Sequence, residues 1–216
     1  MRSGADAPDF TITDEAGLRA LFPAVHTLAA LKALDHLDAH ASAFIARSPF
    51  LCIGTQNGEG RADVSPRGDP AGFVRILDAR TLAIPDRPGN NRLDTLSNII
   101  AYPSVGLLFM VPGFDETLRV NGTARLSTDP ALLATMSVND RLPRLAIVVT
   151  VREVFLHCAK AFRRSHLWDP AARQDRSAMP SLMHMLLDQT TGAPTDAAEL
   201  EKRDQGLEED YRRSLY

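Results

Sequence analysis

The hydrophobic period of this chain changes at Ser48-Pro49. Before that point, apolar residues recur at three- and four-residue steps between Leu28 and Ile45, which predicts one long helix. After it come short apolar runs of strand length, separated by turn residues such as Asn57-Gly58. Because proline disfavours helical geometry in the residue before it, the helix has to end near Ser48. We therefore expect a mainly β fold with a helical segment in front of it.

The strand-length runs and the segments between them predict the architecture. Strands are expected over residues 50–55, 61–65, 73–77, 81–84, 105–111, 118–126 and 145–156. Short helices are expected after Asn90 or Asn91, whose side chains can cap a first turn, and at Asp129-Pro130. Six or seven strands with so few helices favour a small antiparallel barrel over a parallel sheet.

The chain divides into three predicted parts. Residues 1–48 form an N-terminal helical extension, residues 49–168 the β-barrel domain, and residues 169–216 a C-terminal helical tail. In the tail, apolar residues such as Leu186 and Leu207 recur at helical spacing, and Thr195 can cap the last helix. Such helices do not fold alone, so we expect the tail to lie on the barrel or on a partner subunit.

Charge and cysteine content argue against several classes of function. The 216 residues carry 24 Lys+Arg against 27 Asp+Glu, a formal net charge of −3. This near-neutral balance argues against a nucleic-acid partner held by bulk positive charge, and it offers no basic face to a membrane. Cys52 and Cys158 are too few for a disulfide framework or a four-cysteine zinc site. Acidic residues near the start and the lack of a membrane-length apolar run predict a cytoplasmic protein.

Familiar catalytic and metal-binding motifs are absent from the sequence. There is no phosphate loop with its lysine, no GxGxxG after a strand and no HExxH. His36 and His40 are four residues apart, a spacing that can hold a metal on a helix, but no third ligand accompanies them. We therefore expect solvated histidines and no metal site, and the sequence nominates no catalytic residue.

Arginine residues with polar neighbours stand at the ends of several predicted strands. Arg67 ends the second strand, Arg92 opens a short helix, and Arg163 follows the last strand. A phosphate needs forked donors and positive potential, which guanidinium groups and the free amides of a helix start supply. The alternative is that these arginines only form ion pairs with nearby carboxylates, of which the candidates are Asp63, Asp69, Asp86 and Asp94.

Four sequence motifs follow one another along the predicted barrel. They are residues 62–69 (ADVSPRGD), 84–92 (IPDRPGNNR), 118–124 (LRVNGTA) and 157–168 (HCAKAFRRSHLW). Through them, the run from Phe50 to Trp168 resembles the pyridoxamine 5′-phosphate oxidase-like flavoproteins, which bind flavin mononucleotide (FMN) in a split β-barrel. The resemblance implies an FMN-binding split barrel of six or seven antiparallel strands with helical extensions at both ends.

The resemblance also implies which residues bind FMN. Arg67 and Arg92 match the basic pair that holds the FMN phosphate, and Asn91 matches a polar neighbour of that pair. Ile84 and Pro85 match the strand end that lies along the isoalloxazine ring and presents backbone groups to it.

Two further segments are implied to contact the flavin. Ser65 and Pro66 match the stretch that passes the ring and the ribityl chain. A segment beyond the last strand matches the part of the family fold that reaches the flavin held mainly by the other subunit. Its residues are Lys160, Arg163, Ser165 and Trp168. Family members are homodimers with two flavins at the interface, so a homodimer is implied.

The implied activity is that of an FMN-dependent oxidoreductase. A hydride would pass between FMN and a small-molecule substrate or a reduced nicotinamide, NADH or NADPH. Two positions depart from the oxidases proper. The position where those enzymes often use glutamine to contact the ring falls near Thr117, a shorter residue, and Arg164-Ser165-His166 only partly matches their substrate-binding Arg-x-His. The resemblance is therefore not extended to their substrate. The alternative is a non-catalytic carrier or sensor of the same fold, holding flavin, haem or deazaflavin.

Overall fold

Seven strands dominate the computed structural model of the protein, which describes residues 10–216. The strands are β1 Phe50–Gln56, β2 Ala62–Gly68, β3 Arg75–Asp78, β4 Thr81–Pro85, β5 Ser104–Met110, β6 Thr117–Ser127 and β7 Ala146–His157. They form one sheet in the order β2-β1-β5-β6-β7-β4-β3, and every neighbouring pair is antiparallel. The structure confirms the predicted fold class, mainly β with peripheral helices.

Helices precede, separate and follow the strands along the described part of the chain. They are α1 Glu15–Ala20, α2 Thr27–Leu31, α3 Ala39–Arg47, α4 Asp94–Ala101, α5 Pro130–Ala134, α6 Lys160–Ser165, α7 Leu182–Asp188 and α8 Ala197–Ser214. The chain separates into two compact units, Met1–Ala33 and Leu34–Tyr216. The first contains α1 and α2, and residues 1–9 of the predicted N-terminal extension lie outside the described residues. Within residues 10–216, no helix is both long and apolar enough to cross a bilayer.

The single long helix predicted between Leu28 and Ile45 is wrong. The segment is broken into α2 and α3, because Leu34 forms a backbone bridge with β7: its N–H donates to the carbonyl of Val154 at 2.9 Å and its carbonyl accepts from Val154 at 2.8 Å. The Asp38 side chain then caps α3 by accepting from the N–H of Ala41 at 2.7 Å. A contact distant in sequence has overridden the local helical period.

This break also changes the position of the paired histidines. His36 precedes α3 and its Nδ1 lies 2.9 Å from Oδ1 of Asp35, while His40 is an exposed residue of α3. The two residues therefore do not share one helix at a four-residue step. Across residues 10–216, no group of three or more His, Cys, Asp or Glu side chains is placed to hold a metal ion.

Local capping signals were partly correct. Asp129 caps α5 by accepting from the N–H of Ala131 at 2.9 Å, and Pro130 begins the helix, as predicted. The cap predicted at Thr195 is wrong by one residue, because the Asp196 side chain accepts from the first turn of α8. Asp and Thr both suit this position, so composition alone did not separate neighbouring candidates.

The core lies inside the curled sheet. Alternate residues of β1 and β5 point inward and are fully buried, among them Leu51, Ile53 and Phe109. Helix α3 adds Phe44 and Ile45 to the same cluster. The strand-length apolar runs predicted these strands, and the alternation of burial within them leaves the outer face of β1 and β5 for other contacts.

A bulge bends the two longest strands. The register of β6 against β7 shifts between Asn121 and Gly122. A Cβ on Gly122 would lie only 2.1 Å from the carbonyl oxygen of Thr150, so only glycine permits this close approach. The bend allows one end of β6 to pair with β5 while β7 turns away to pair with β4.

The sheet closes on itself through side chains rather than through strand pairing. In the strand order, β2 and β4 are five steps apart, which in a flat sheet is about 24 Å. Yet Nη1 of Arg67, in β2, lies 2.6 Å from Oδ1 of Asp86, directly after β4. The sheet must therefore curl into a barrel that stays split where β2 approaches the β4 end.

Candidate cofactor site

The split side of the barrel is held by two crossed ion pairs, which we call the seam: Arg67, Asp69, Asp86 and Arg87. Arg67 pairs with Asp86, and Nε of Arg87 lies 2.6 Å from Oδ2 of Asp69. The end of β2 thus supplies Arg67 and Asp69, and the segment after β4 supplies Asp86 and Arg87. A second Arg87 nitrogen donates to the carbonyl of Met136 at 2.8 Å, which fixes the guanidinium plane.

The seam is largely removed from solvent. The side chain of Asp69 is 1% exposed, and those of Arg67 and Asp86 are 16% and 19% exposed. Charges this buried interact strongly, and removing one partner of such a pair leaves an uncompensated charge in a dry environment. The seam therefore stabilises the fold even without a ligand.

Arg67 has one donor that the protein does not satisfy. Its Nε is buried and has no hydrogen-bond partner. Buried polar atoms are nearly always hydrogen-bonded, and an unmade bond of this kind costs about 1–3 kcal/mol. The fixed fork of a guanidinium suits a phosphate or carboxylate oxygen. The donor set thus fits an anion such as a cofactor phosphate.

The neighbours of Arg67 on β2 face alternate sides. Ser65 lies on the same half-buried face as Arg67, two residues earlier, while Pro66 lies on the opposite, exposed face. Opposite them on β1 are Ile53 and Cys52. Because a strand alternates, the Ser65 side chain shares a face with Arg67, and Pro66 does not.

Ile84 and Pro85 lie at the end of β4, close to the seam. The Ile84 side chain is fully buried in the core, so only its backbone is open to a ligand. The pairing of β4 with β3 stops at Ala83, whereas the N–H of Asp86 donates to Leu145 on the β7 side. Pro85, one residue from Asp86, therefore turns its carbonyl to the unpaired edge, where the missing proline N–H costs nothing.

Asn91 and Arg92 form the turn before α4. Asn91 and Leu93 both have positive φ, 56° and 62°, and Leu93 precedes the helix without any side-chain cap. The predicted asparagine cap is therefore wrong: the Asn90 side chain accepts from the N–H of Arg92 at 3.1 Å instead. It stabilises the turn rather than the helix.

Arg92 is exposed and has its own carboxylate. Its side chain is 73% exposed and its Nε lies 2.7 Å from Oδ2 of Asp94. This hydrogen bond raises the pKa of Arg92 above its ordinary value. Helix α4 is tied to β2, since Oγ1 of Thr95 donates to Asp63 at 3.1 Å. Arg67 lies in β2, and Arg92 precedes a helix that is hydrogen-bonded to β2. The two arginines form separate ion pairs, and no described contact joins them.

Two of the four predicted residues beyond β7, Arg163 and Trp168, contact the β5–β6 connection. Nε of Arg163 lies 3.1 Å from Asp115, and the indole N–H of Trp168 donates to the carbonyl of Phe114 at 2.7 Å. The Trp168 ring also packs against Phe162, with ring centroids 5.6 Å apart. Lys160 and Ser165 are exposed in α6, and the Ser165 hydroxyl bonds only within that helix. Within one chain, none of their described contacts reaches the seam.

Two cavities lie on the outer face of the sheet. They measure about 480 and 580 Å³ and share part of their walls. The smaller is mainly apolar and is bounded by β1, β2, β5 and β6, by the end of β7 and by α6; its lining includes Gly54, Val64, Leu108, Arg119 and Phe162. None of the eleven residues predicted to bind FMN lines either cavity. The hint in the sequence was the pair of glycines, Gly54 and Gly106, at outward positions of β1 and β5.

Sequence reasoning also missed the full composition of the seam. It offered Asp69 and Asp86 as possible ion-pair partners but gave Arg87 no role and did not assign the chain's last tyrosine, Tyr216, to this region. The Tyr216 hydroxyl donates to Asp69 at 2.6 Å. No local pattern could have shown this contact, because the two residues are 147 positions apart in the sequence.

Comparison with known protein families decides the affiliation of the chain. The family model of pyridoxamine 5′-phosphate oxidase matches residues 37–158, more than half of the chain. The chain belongs to the pyridoxamine 5′-phosphate oxidase family. The match confirms the resemblance inferred from the four motifs. The matched region includes Arg67 and Arg92. It ends before Lys160, so it does not include α6 or the tail.

Several solved structures match about half of this chain at low sequence identity. HupZ from Group A Streptococcus is 16% identical over 56% of this chain and 93% of its own, with a TM-score of 0.47. An FMN-binding protein from Syntrophomonas wolfei is 8% identical over 54% and 82%, with a TM-score of 0.43. General stress protein 26 from Bacillus anthracis is 12% identical over 53% and 88%, with a TM-score of 0.41. These values are too low to transfer any property of those proteins to this chain. No curated protein matches it in sequence.

Proposed function

We propose that this chain binds FMN and acts as an FMN-dependent oxidoreductase. The observation that carries the proposal is the buried, unpartnered Nε–H of Arg67, within the region matched by the family model. A phosphate oxygen at this position would satisfy the donor and would gain a charge-assisted hydrogen bond of about 1.5–3 kcal/mol.

The second phosphate-binding group in this proposal is the turn before α4. Arg92 is exposed and paired only with Asp94, also a surface residue, so its guanidinium can exchange that partner for a phosphate at little cost. Asn91 contributes a polar side chain next to it. The Thr95–Asp63 hydrogen bond holds this turn against β2, the strand that carries Arg67.

The flavin ring is assigned to the strand ends beside the seam. Ser65 and Pro66 on β2, and the outward carbonyl of Pro85 with the backbone of Ile84 on β4, offer polar groups to the ring edge. We assign Lys160, Arg163, Ser165 and Trp168 to the flavin of a second copy of the chain, because within one chain Arg163 and Trp168 contact the β5–β6 connection and none of the four has a described contact with the seam. We therefore propose that the chain forms a homodimer with FMN at the interface.

When bound, FMN supplies the ability to accept and donate a hydride. The chain's residues orient the cofactor and set its electrostatic surroundings. Lys160 and Arg163 are the candidates for positive charge near the pyrimidine end, where a cation favours the reduced, negatively charged cofactor. The hydride partner is a small molecule or a reduced nicotinamide, NADH or NADPH.

The test is flavin binding by the purified protein. We expect flavin absorption after purification or after adding FMN, and binding measured by quenching of flavin fluorescence. Arg92→Ala should weaken FMN binding at least tenfold and leave riboflavin, which lacks the phosphate, unaffected. Arg61→Ala, which removes an equally exposed arginine paired with Glu59, is the matched control. A wild-type protein that takes up no FMN would refute the proposal.

Turnover separates an enzyme from a carrier. Loss of the visible flavin absorption on adding NADH or NADPH, followed by recovery in air, is the expected result for an oxidoreductase. Bound flavin that resists both nicotinamides and small-molecule reductants would favour a non-catalytic carrier or sensor. Binding of haem or a deazaflavin in preference to FMN would identify the cofactor of that alternative.

A further inference from the structure

Tyr216 docks directly on the seam. Its hydroxyl donates to Oδ1 of Asp69 at 2.6 Å, and the Arg87 guanidinium carbon lies 5.7 Å from the centre of its ring. Arg141 donates to the backbone oxygen of Tyr216. A charge-assisted hydrogen bond, a cation–π contact and a backbone anchor therefore hold one residue in place.

These contacts occupy both oxygens of Asp69. Oδ2 accepts from Nε of Arg87 and Oδ1 accepts from Tyr216, while the side chain is 1% exposed. With both oxygens engaged and almost no solvent access, Asp69 is held in one orientation. The hydroxyl of Tyr216 is the only described partner of Oδ1.

Asp69 is also a natural competitor for Arg67. It stands two residues after Arg67, and its N–H donates to Pro49 at 3.1 Å, so the extended pairing with the β1 side continues past the end of β2. Residues two apart on a strand share a face, and both side chains are half-buried or buried on it. A released Asp69 carboxylate would therefore be within reach of the unpartnered Nε–H of Arg67.

We propose that Tyr216 is a positioning residue of the anion site: by holding Oδ1 of Asp69, it keeps this carboxylate on Arg87 and leaves the Nε–H of Arg67 available to a phosphate. This inference rests on the proposed function and adds a role for the C-terminal tail. Helix α8 is thereby coupled to the cofactor site through one hydroxyl group.

The test compares Tyr216→Phe with Tyr211→Phe. The first substitution keeps the ring and removes only the hydroxyl that contacts Asp69; the second removes the hydroxyl of an exposed tyrosine on α8 and serves as the control. For Tyr216→Phe we expect about tenfold weaker FMN binding with riboflavin binding unchanged, because only FMN carries the phosphate. Tyr211→Phe should change neither. Equal weakening of FMN and riboflavin, or no change for either, would overturn the positioning role.

A second measurement does not need flavin. The nuclear magnetic resonance signal of the Arg67 Nε–H should shift when inorganic phosphate is added to the wild-type protein, and the shift should need at least tenfold more phosphate in Tyr216→Phe. If FMN fails to bind but this dependence on Tyr216 persists, the proposed cofactor is wrong and the positioning role stands. If phosphate leaves the Arg67 signal unchanged in the wild type, or shifts it equally in both proteins, the positioning role is refuted.

Discussion

The guanidinium of Arg67 and the carboxylate of Asp86 meet at 2.6 Å across the split side of a barrel whose strands place them five steps apart. The same arginine keeps its Nε buried without a partner. The sequence left two interpretations of this residue open, an ion pair with a carboxylate and a phosphate ligand. The structure shows the ion pair and leaves one donor for the proposed phosphate, so the two interpretations are compatible.

Breaking the seam should cost much more than breaking a surface pair. We expect Asp86→Ala to lower the free energy of unfolding by about 3–5 kcal/mol, since it leaves the Arg67 charge buried and unpaired. Glu59→Ala, which removes the partner of the exposed Arg61, should cost less than about 1 kcal/mol. Urea unfolding followed by circular dichroism measures both values. Similar small losses in the two variants would contradict a structural role for the seam.

Gly122 of β6, which lies at the register shift against β7, should tolerate no side chain. Gly122→Ala is expected to lower the free energy of unfolding by about 3 kcal/mol, because its Cβ would fall 2.1 Å from the Thr150 carbonyl oxygen and the backbone would have to move. Gly54→Ala in β1 is the control: its Cβ would lie 3.7 Å from the nearest atom, an ordinary contact. Thermal and urea unfolding should separate the two, and equal stability would argue against the tight bulge.

The tail should loosen at alkaline pH. The hydrogen bond to Asp69 raises the pKa of Tyr216 above its ordinary value, so the folded protein retains this proton more strongly than the unfolded chain does. The stabilisation is complete below the ordinary tyrosine pKa of about 10 and is lost as pH rises through the folded value. The difference in unfolding free energy between wild type and Tyr216→Phe should therefore be constant up to about pH 9 and shrink over the range above about pH 10. A difference that stays constant over this range would contradict the assignment.

Trp168 should report the flavin. It is the only tryptophan of the chain and packs on Phe162 beside the β5–β6 connection. If α6 of a second copy lies at the flavin, adding FMN should quench tryptophan emission in proportion to the flavin bound. Trp168→Phe should abolish the signal without preventing flavin uptake. Flavin uptake with unchanged emission would remove Trp168 and α6 from the proposed site.

Much of the barrel was predictable from local pattern. The apolar run over residues 50–55 located β1, and the Asp129-Pro130 signal located the start of α5. The break at Leu34 in the predicted long helix was not predictable, because the backbone groups of Leu34 pair with Val154 on β7 rather than within a helix. The binding role of Arg67 stays a prediction, and the sequence could not choose its ion-pair partner among several aspartates.

The strands, the turns and the arginines at strand ends were determined by the sequence itself, because hydrophobic alternation and turn chemistry act between residues a few positions apart. Which groups meet at the seam was decided only by the tertiary structure. Arg67 meets a carboxylate 19 residues away, and Asp69 meets a hydroxyl 147 residues away. These meetings exist only once the sheet curls and the tail docks, and no local period encodes that closure.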